Sequence, residues 1–102
     1  MRKVIKNKLY DTETAKRVGQ AFSDYPVSDF HYWEETLFIK KTGEYFLYAK
    51  GGAASKYNRQ LGQNEWCGDV KIIPITAEQA REWAERNLEV EDYAYYFGLP
   101  EE

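Results

Sequence analysis

The sequence predicts an α+β fold in a single domain, residues 1–102: a small antiparallel sheet built on a central β-hairpin and packed on one face by two or three helices. Three observations carry this reading. Asp29 to Lys40 is rich in aromatic and β-branched residues, and after the turn Lys41-Thr42-Gly43 the run Glu44 to Lys50 mirrors it, which is the pattern of a hairpin with Gly43 in a bulged turn. Thr76 stands three residues before Gln79, a capping-box spacing at the head of an apolar stripe. The chain of 102 residues carries 17 % aromatic side chains, enough large rings for one core and too few residues for two.

At the N-terminus, Lys3-Val4-Ile5 and Lys8-Leu9-Tyr10 flank Lys6-Asn7, a short hairpin with Asn in the left-handed turn position. Asp11 then reads as a helix cap, with Ala15, Val18, Gly19 and Phe22 forming one helical stripe that ends at the turn Ser23 to Pro26. In the central hairpin the expected pairs are Lys40 with Glu44, Phe38 with Phe46, Thr36 with Tyr48 and Glu34 with Lys50. The opposite face, Ile39/Tyr45, Leu37/Leu47 and Glu35/Ala49, is more aliphatic and is the one expected beneath helices. The Phe38, Phe46 and Tyr48 face is ringed by charge and expected half exposed.

Beyond Gly51-Gly52, Ala53 to Leu61 reads as one or two helical turns closed by Gly62, and Val70 to Ile73 as a short strand stopped by Pro74. The helix from Thr76 turns Ala77, Ala80, Trp83, Ala84 and Leu88 inward. Its solvent side holds Arg81/Glu85 and Glu82/Arg86 as expected ion pairs four residues apart. A second helix covers Val90 to Phe97, ended by Gly98 and Pro100. The expected order is therefore β-β-α-β-β-β-α-α.

Net charge is −3, but residues 1–75 carry +3 and residues 76–102 carry −6, with Arg81 and Arg86 against eight carboxylates. Such a polarised molecule suits an interface, and equally a solvated helix face. One cysteine, Cys67, and one histidine, His31, cannot build a zinc site, so no metal or cofactor is expected. There is no signal-like segment and no apolar run of spanning length, so no membrane partner is expected and the expected compartment is the cytoplasm. Strand alternation places His31, Trp33 and Glu35 on one face; without a nucleophile or metal beside it His31 reads as structural, and no catalytic residue is assigned.

Two binding surfaces stand out. The acidic and aromatic C-terminal segment offers Glu82, Glu85, Glu89, Asp92 and Tyr95 to a protein or ribonucleoprotein partner, since Tyr gives large contact area at low entropy cost. The loop after the central hairpin offers Lys50, Ser55, Lys56, Tyr57 and Arg59, with the backbone N–H groups around Gly51-Gly52, to a phosphate or nucleic acid. It lacks the Gly-Lys-Ser/Thr order of a Walker loop, and the same two glycines also serve simply to turn the chain.

The strings Leu9-Tyr10-Asp11-Thr12-Glu13-Thr14-Ala15, Glu34-Glu35-Thr36-Leu37, Gly43 to Tyr48, Gly51-Gly52 with Ser55-Lys56-Tyr57, and Lys71-Ile72-Ile73-Pro74-Ile75-Thr76 through Trp83 together resemble a family of small bacterial prophage and mobile-element proteins. That setting includes anti-CRISPR inhibitors. The resemblance implies a non-enzymatic interaction protein that binds a CRISPR effector complex and blocks its activity, as a monomer or a homo-oligomer, and it assigns no functional residue. A nucleic-acid or phosphate-binding module is the alternative.

Overall fold

A computed structural model describes residues 1–102. Its elements in order are β1 (Arg2–Ile5), β2 (Lys8–Asp11), β3 (Lys16–Phe22), β4 (Trp33–Ile39), β5 (Tyr45–Gly51), β6 (Asn58–Gly62), β7 (Glu65–Ile75), α1 (Ala77–Asn87) and α2 (Val90–Phe97). Five strands form one antiparallel sheet in the order β3-β4-β5-β7-β6, and β1-β2 is a separate ribbon. The α+β class expected from the sequence is what forms, with two helices on the sheet.

The central hairpin has the expected register, with Phe38 opposite Phe46, Thr36 opposite Tyr48 and Glu34 opposite Lys50. Gly43 turns the chain at φ 91°, a conformation open to residues without a Cβ. The aliphatic face is the one the helices cover: Leu37, Leu47, Val18 and Ala21 pack with Ala80, Trp83 and Ala84 of α1, and Tyr93 and Phe97 of α2 lie against the same cluster. The capping box at Thr76 forms in both directions, so the first turn of α1 has its orphan N–H group and the cap's own N–H satisfied.

The other face is not half exposed as expected. Phe46 is completely buried and Phe38 nearly so, because the β1-β2 ribbon folds back over them and sets Tyr10 edge-on to Phe46 at 5.5 Å. Only Tyr48 is half-buried. The ribbon itself turns as expected, with Lys6 and Asn7 both at positive φ.

The helix expected over residues 11–22 is replaced by β3. Asp11 does accept the N–H of Glu13, at 2.9 Å, but this caps a turn. In β3, Arg17 stands opposite Phe38 and Gly19 opposite Leu37, so Val18 is an extra residue in a β-bulge. The bulge turns Val18 and Ala21, three apart, toward the same core. That spacing imitates a helical stripe. Gly19 fits because a Cβ there would lie 2.3 Å from Leu88 Cδ2.

Residues 53–61 also depart from expectation: they form a tight turn and then β6, with no helix. β7 runs on through Pro74 to Ile75. β6 pairs with it only as far as Gly68, so one edge of β7 is free at Pro74 and the missing N–H is tolerated. The expected ion pairs Arg81/Glu85 and Glu82/Arg86 do not close; the six ion pairs present all lie between residues 2 and 56.

Gly52 marks the tightest backbone approach. Its N–H donates to the Tyr32 carbonyl at 2.8 Å, and a Cβ would fall 2.5 Å from the Phe30 carbonyl oxygen. Gly52→Ala is expected to destabilise the protein by about 1–3 kcal/mol, since backbone has to move. Gly43→Ala, where a Cβ meets nothing within 4 Å, is expected to cost only about 1 kcal/mol of conformational strain. Urea midpoints of the two variants measure this difference, and equal losses would contradict the close approach at Gly52.

Candidate functional site

Two clusters of polar side chains need separating by what their groups already do. The first centres on Glu35, buried in the middle of the sheet with Ala21 and Ala49 as its cross-strand neighbours. The two small neighbours leave room above the strand, and Trp83 and Tyr57 fill it. Glu35 Oε1 accepts Trp83 Nε1–H at 2.9 Å, while Oε2 accepts the Tyr57 hydroxyl and lies 3.1 Å from Lys56 Nζ. Lys56 also sits 4.0 Å from the centroid of Trp33. Burial pushes the Glu35 pKa up, but the hydrogen bonds from Tyr57, Trp83 and Lys56 outweigh it and hold the carboxyl below its ordinary value. Burial, and then the bond to Glu35, push the Tyr57 hydroxyl the other way, well above the usual range. Glu35 and Tyr57 are buried with their polar groups engaged by one another, by Trp83 and by Lys56, so they hold the layers together, while the Lys56 side chain stays half exposed.

This accounts for most of the phosphate or nucleic-acid loop expected from the sequence. Ser55 is buried, donating to the Gly52 carbonyl at 2.7 Å and accepting the Tyr57 N–H at 3.2 Å. Lys50 pairs with Glu34 at 3.1 Å and Lys56 with Glu35, which leaves Arg59 as the exposed cation without a carboxylate, its guanidinium 3.7 Å from Cys67 Sγ. His31 lies in a turn ahead of β4, with Nδ1 2.9 Å from Asp29 Oδ1 and its ring stacked on Tyr25, and so does not continue the face of Trp33 and Glu35 as alternation suggested.

The second cluster is a groove of about 650 Å³ between β3 and α2. β3 is an edge strand, and α2 lies along its open side. Tyr96 donates its hydroxyl to the Arg17 carbonyl at 3.2 Å, and Lys16 Nζ donates to the Tyr95 hydroxyl at 3.1 Å while standing 4.8 Å from that ring's centroid. The bond to Tyr95 holds the Lys16 pKa above its ordinary value. Three of the five residues expected to meet a partner converge here: Glu89, Asp92 and Tyr95 line the α2 wall. Glu82 and Glu85 are exposed on α1, and Glu85 borders a separate hollow of about 210 Å³ with Leu88, Val90 and Pro100.

None of the eight carboxylates in residues 76–102 has a cation within ion-pair distance. In the sheet and ribbon, by contrast, Asp11, Glu34, Glu35 and Glu44 are all paired. Glu44, between Lys8, Thr42 and Lys40, is held down to about 2. Residues 76–102 therefore keep a net charge of −6 with no ion pair closed among them or to the sheet.

Lys16, Arg17 and Gln20, on the opposite wall, were not singled out by the sequence, because a helix there would have turned them to solvent. The signal that argued against a helix was Gly19 in its middle, which costs about 1 kcal/mol relative to Ala. No protein-family model, curated protein or solved structure matches this chain.

The carboxyl of Glu35 has a depressed pKa in the fold, so the unfolded chain binds more protons in acid. Its contribution to stability is fully present above the ordinary carboxylate value of 4.5 and is lost as the pH falls through its lower folded value. Glu35→Gln is expected to lower stability at neutral pH and to flatten the decline on acidification below that value. Urea titrations at a series of pH values measure it; parallel curves for the two proteins would contradict the role given to Glu35.

Proposed function

We propose that the chain is a non-catalytic docking module whose helical layer, α1 and α2, engages a basic surface of a macromolecular partner. The observation that carries this is the set of eight carboxylates in residues 76–102 left without an internal cation, while Asp11, Glu34, Glu35 and Glu44 in the rest of the chain each have one at home. Exposed acids repel one another, and a surface that concentrates them gains most from a partner that brings cations. Exposed apolar groups supply the contact area: Tyr95 is 71 % exposed, and the aliphatic Val90 and Leu99 are also open.

A CRISPR effector complex, the partner implied by the resemblance to mobile-element proteins, is the specific form of this proposal. Effectors handle nucleic acid through basic channels, and an acidic layer can compete for them. The net charge of −3 is modest, so the contest would be local to α1 and α2 and not a whole-surface imitation of DNA.

The test is charge reversal of Glu82, Glu85, Glu89 and Asp92 to lysine, with retained folding checked by circular dichroism. Against a partner captured by cross-linking in the host cell, the parent chain is expected to bind with a marked salt dependence and the variant to lose at least about tenfold in affinity, the loss of a few charge contacts. Equal binding by both proteins would contradict the proposal.

A further inference from the structure

The free edge of β3 continues past the groove. The N–H of Ser23 donates to the Trp33 carbonyl at 3.0 Å, which makes Ser23 and Trp33 a hydrogen-bonded pair and, by alternation, Ala21/Glu35 and Gly19/Leu37 as well. Gln20 and Phe22 then turn their backbone N–H and C=O groups away from β4, toward the open edge. Neither residue has a backbone partner among the turn and loop bonds. At Arg17 the edge is closed by the Tyr96 hydroxyl, so the open stretch begins just beyond the bulge. It runs into a second hollow of about 470 Å³ lined by Phe22, Tyr25 and Trp33, where Phe22 is 55 % exposed.

The two sides of this edge differ in chemistry. Gln20 and Phe22 sit opposite Thr36 and Glu34, on the sheet face that carries Phe38 and Tyr48, so their side chains lie on the face away from the helices. On the helix side stand Glu89 and Asp92, both unpaired. The cations nearby are Lys16, which is turned onto Tyr95, and Arg17, which lies at the closed end.

We infer that the β3 edge takes an added strand: an extended, basic segment of a partner chain that pairs its backbone with Gln20 and Phe22. Because side chains alternate along a strand, its cations would point to Glu89 and Asp92 while its apolar residues lie beside Phe22. Backbone pairing supplies affinity irrespective of sequence, and the acidic wall on one side with the aromatic residue on the other selects an alternating cationic and apolar segment. This rests on the proposed basic partner and gives that partner a conformation. Edge strands commonly carry a device against such pairing; here the bulge and Tyr96 guard only the first part of β3.

Synthetic ten-residue peptides of alternating lysine and valine provide the probe, measured by fluorescence anisotropy with the full chain at low salt. Three further peptides complete the set: one with glutamate for lysine, one N-methylated at every lysine, and one N-methylated at every valine. In an added strand the amides of one set face the protein and those of the other face solvent. One methylated peptide is therefore expected to lose about tenfold in affinity, the worth of one or two backbone hydrogen bonds, and the other to bind as the parent does. Hydrogen exchange at Gln20 and Phe22 is expected to slow on binding. Gln20→Pro, which removes an outward N–H, is expected to weaken binding; should that variant fold poorly, the two methylated peptides decide alone.

If the lysine peptide outbinds the glutamate peptide but both methylated forms bind equally and Gln20 and Phe22 stay unprotected, the acidic layer stands and strand addition is overturned. If lysine and glutamate peptides bind alike while one methylated set fails, strand addition stands and the basic-partner reading falls. A dimer of the chain that protects the same two amides without peptide would give the edge to a second copy and overturn the proposal.

Discussion

The structure depends on one buried carboxylate. Glu35 occupies the centre of the sheet, nearly inaccessible to water, where an isolated charge would cost several kcal/mol even after relaxation. It is tolerable because three donors from two places meet it: Trp83 from α1, and the adjacent Lys56 and Tyr57 from the turn after β5. Each is held by what the carboxylate needs, so the helix, the sheet and the turn are fixed relative to one another by the same pair of oxygens. Apolar packing of Leu37, Ala80 and Ala84 supplies most of the adhesion between layers but little direction. The directional bonds select which way the helix lies.

That internal use of charge shapes the outside. The two lysines that the sequence offers to an anion are engaged within the chain, Lys56 by Glu35 and Lys50 by Glu34, and Lys8 and Lys40 are likewise engaged by Glu44. The carboxylates at the centre of the sheet and hairpin are thus matched, and the helical layer keeps its own unmatched. Fixing α1 over Glu35 also places α2 alongside β3, where Tyr95 and Tyr96 reach Lys16 and the Arg17 carbonyl. The groove is a consequence of that docking, as is the stretch of strand edge beyond it that α2 is too short to cover.

Local chemistry made a good part of the fold legible. The hairpin register follows from complementary cross-strand pairs around Gly43, and α1 follows from a capping box and a stripe containing Trp83. The failures share a cause, which is that neighbours distant in sequence changed the meaning of a local pattern. A bulge at Val18 brought two core residues three apart and counterfeited a helix. The free flank of β7 let the strand pass through Pro74, where a strand paired on both sides would have stopped. Folding of the β1-β2 ribbon over Phe46 hid a face that its own strands left unsettled. For the site, composition alone marked the acidic segment, whereas the opposing wall at Lys16 to Gln20 became visible only once those residues formed an edge strand.

Glu35 and Trp83 act as one unit joining helix to sheet, which a double-mutant cycle measures as a coupling energy. Trp83→Phe keeps an aromatic ring but removes the donor; its cost, from urea unfolding, is compared in the parent and in a Glu35→Ala background. The expected result is a loss of about 1–3 kcal/mol in the parent that shrinks by at least about 1 kcal/mol when the carboxylate is gone. Losses equal in both backgrounds would show that Trp83 holds the helix by packing alone and that the buried carboxylate does not organise the layers.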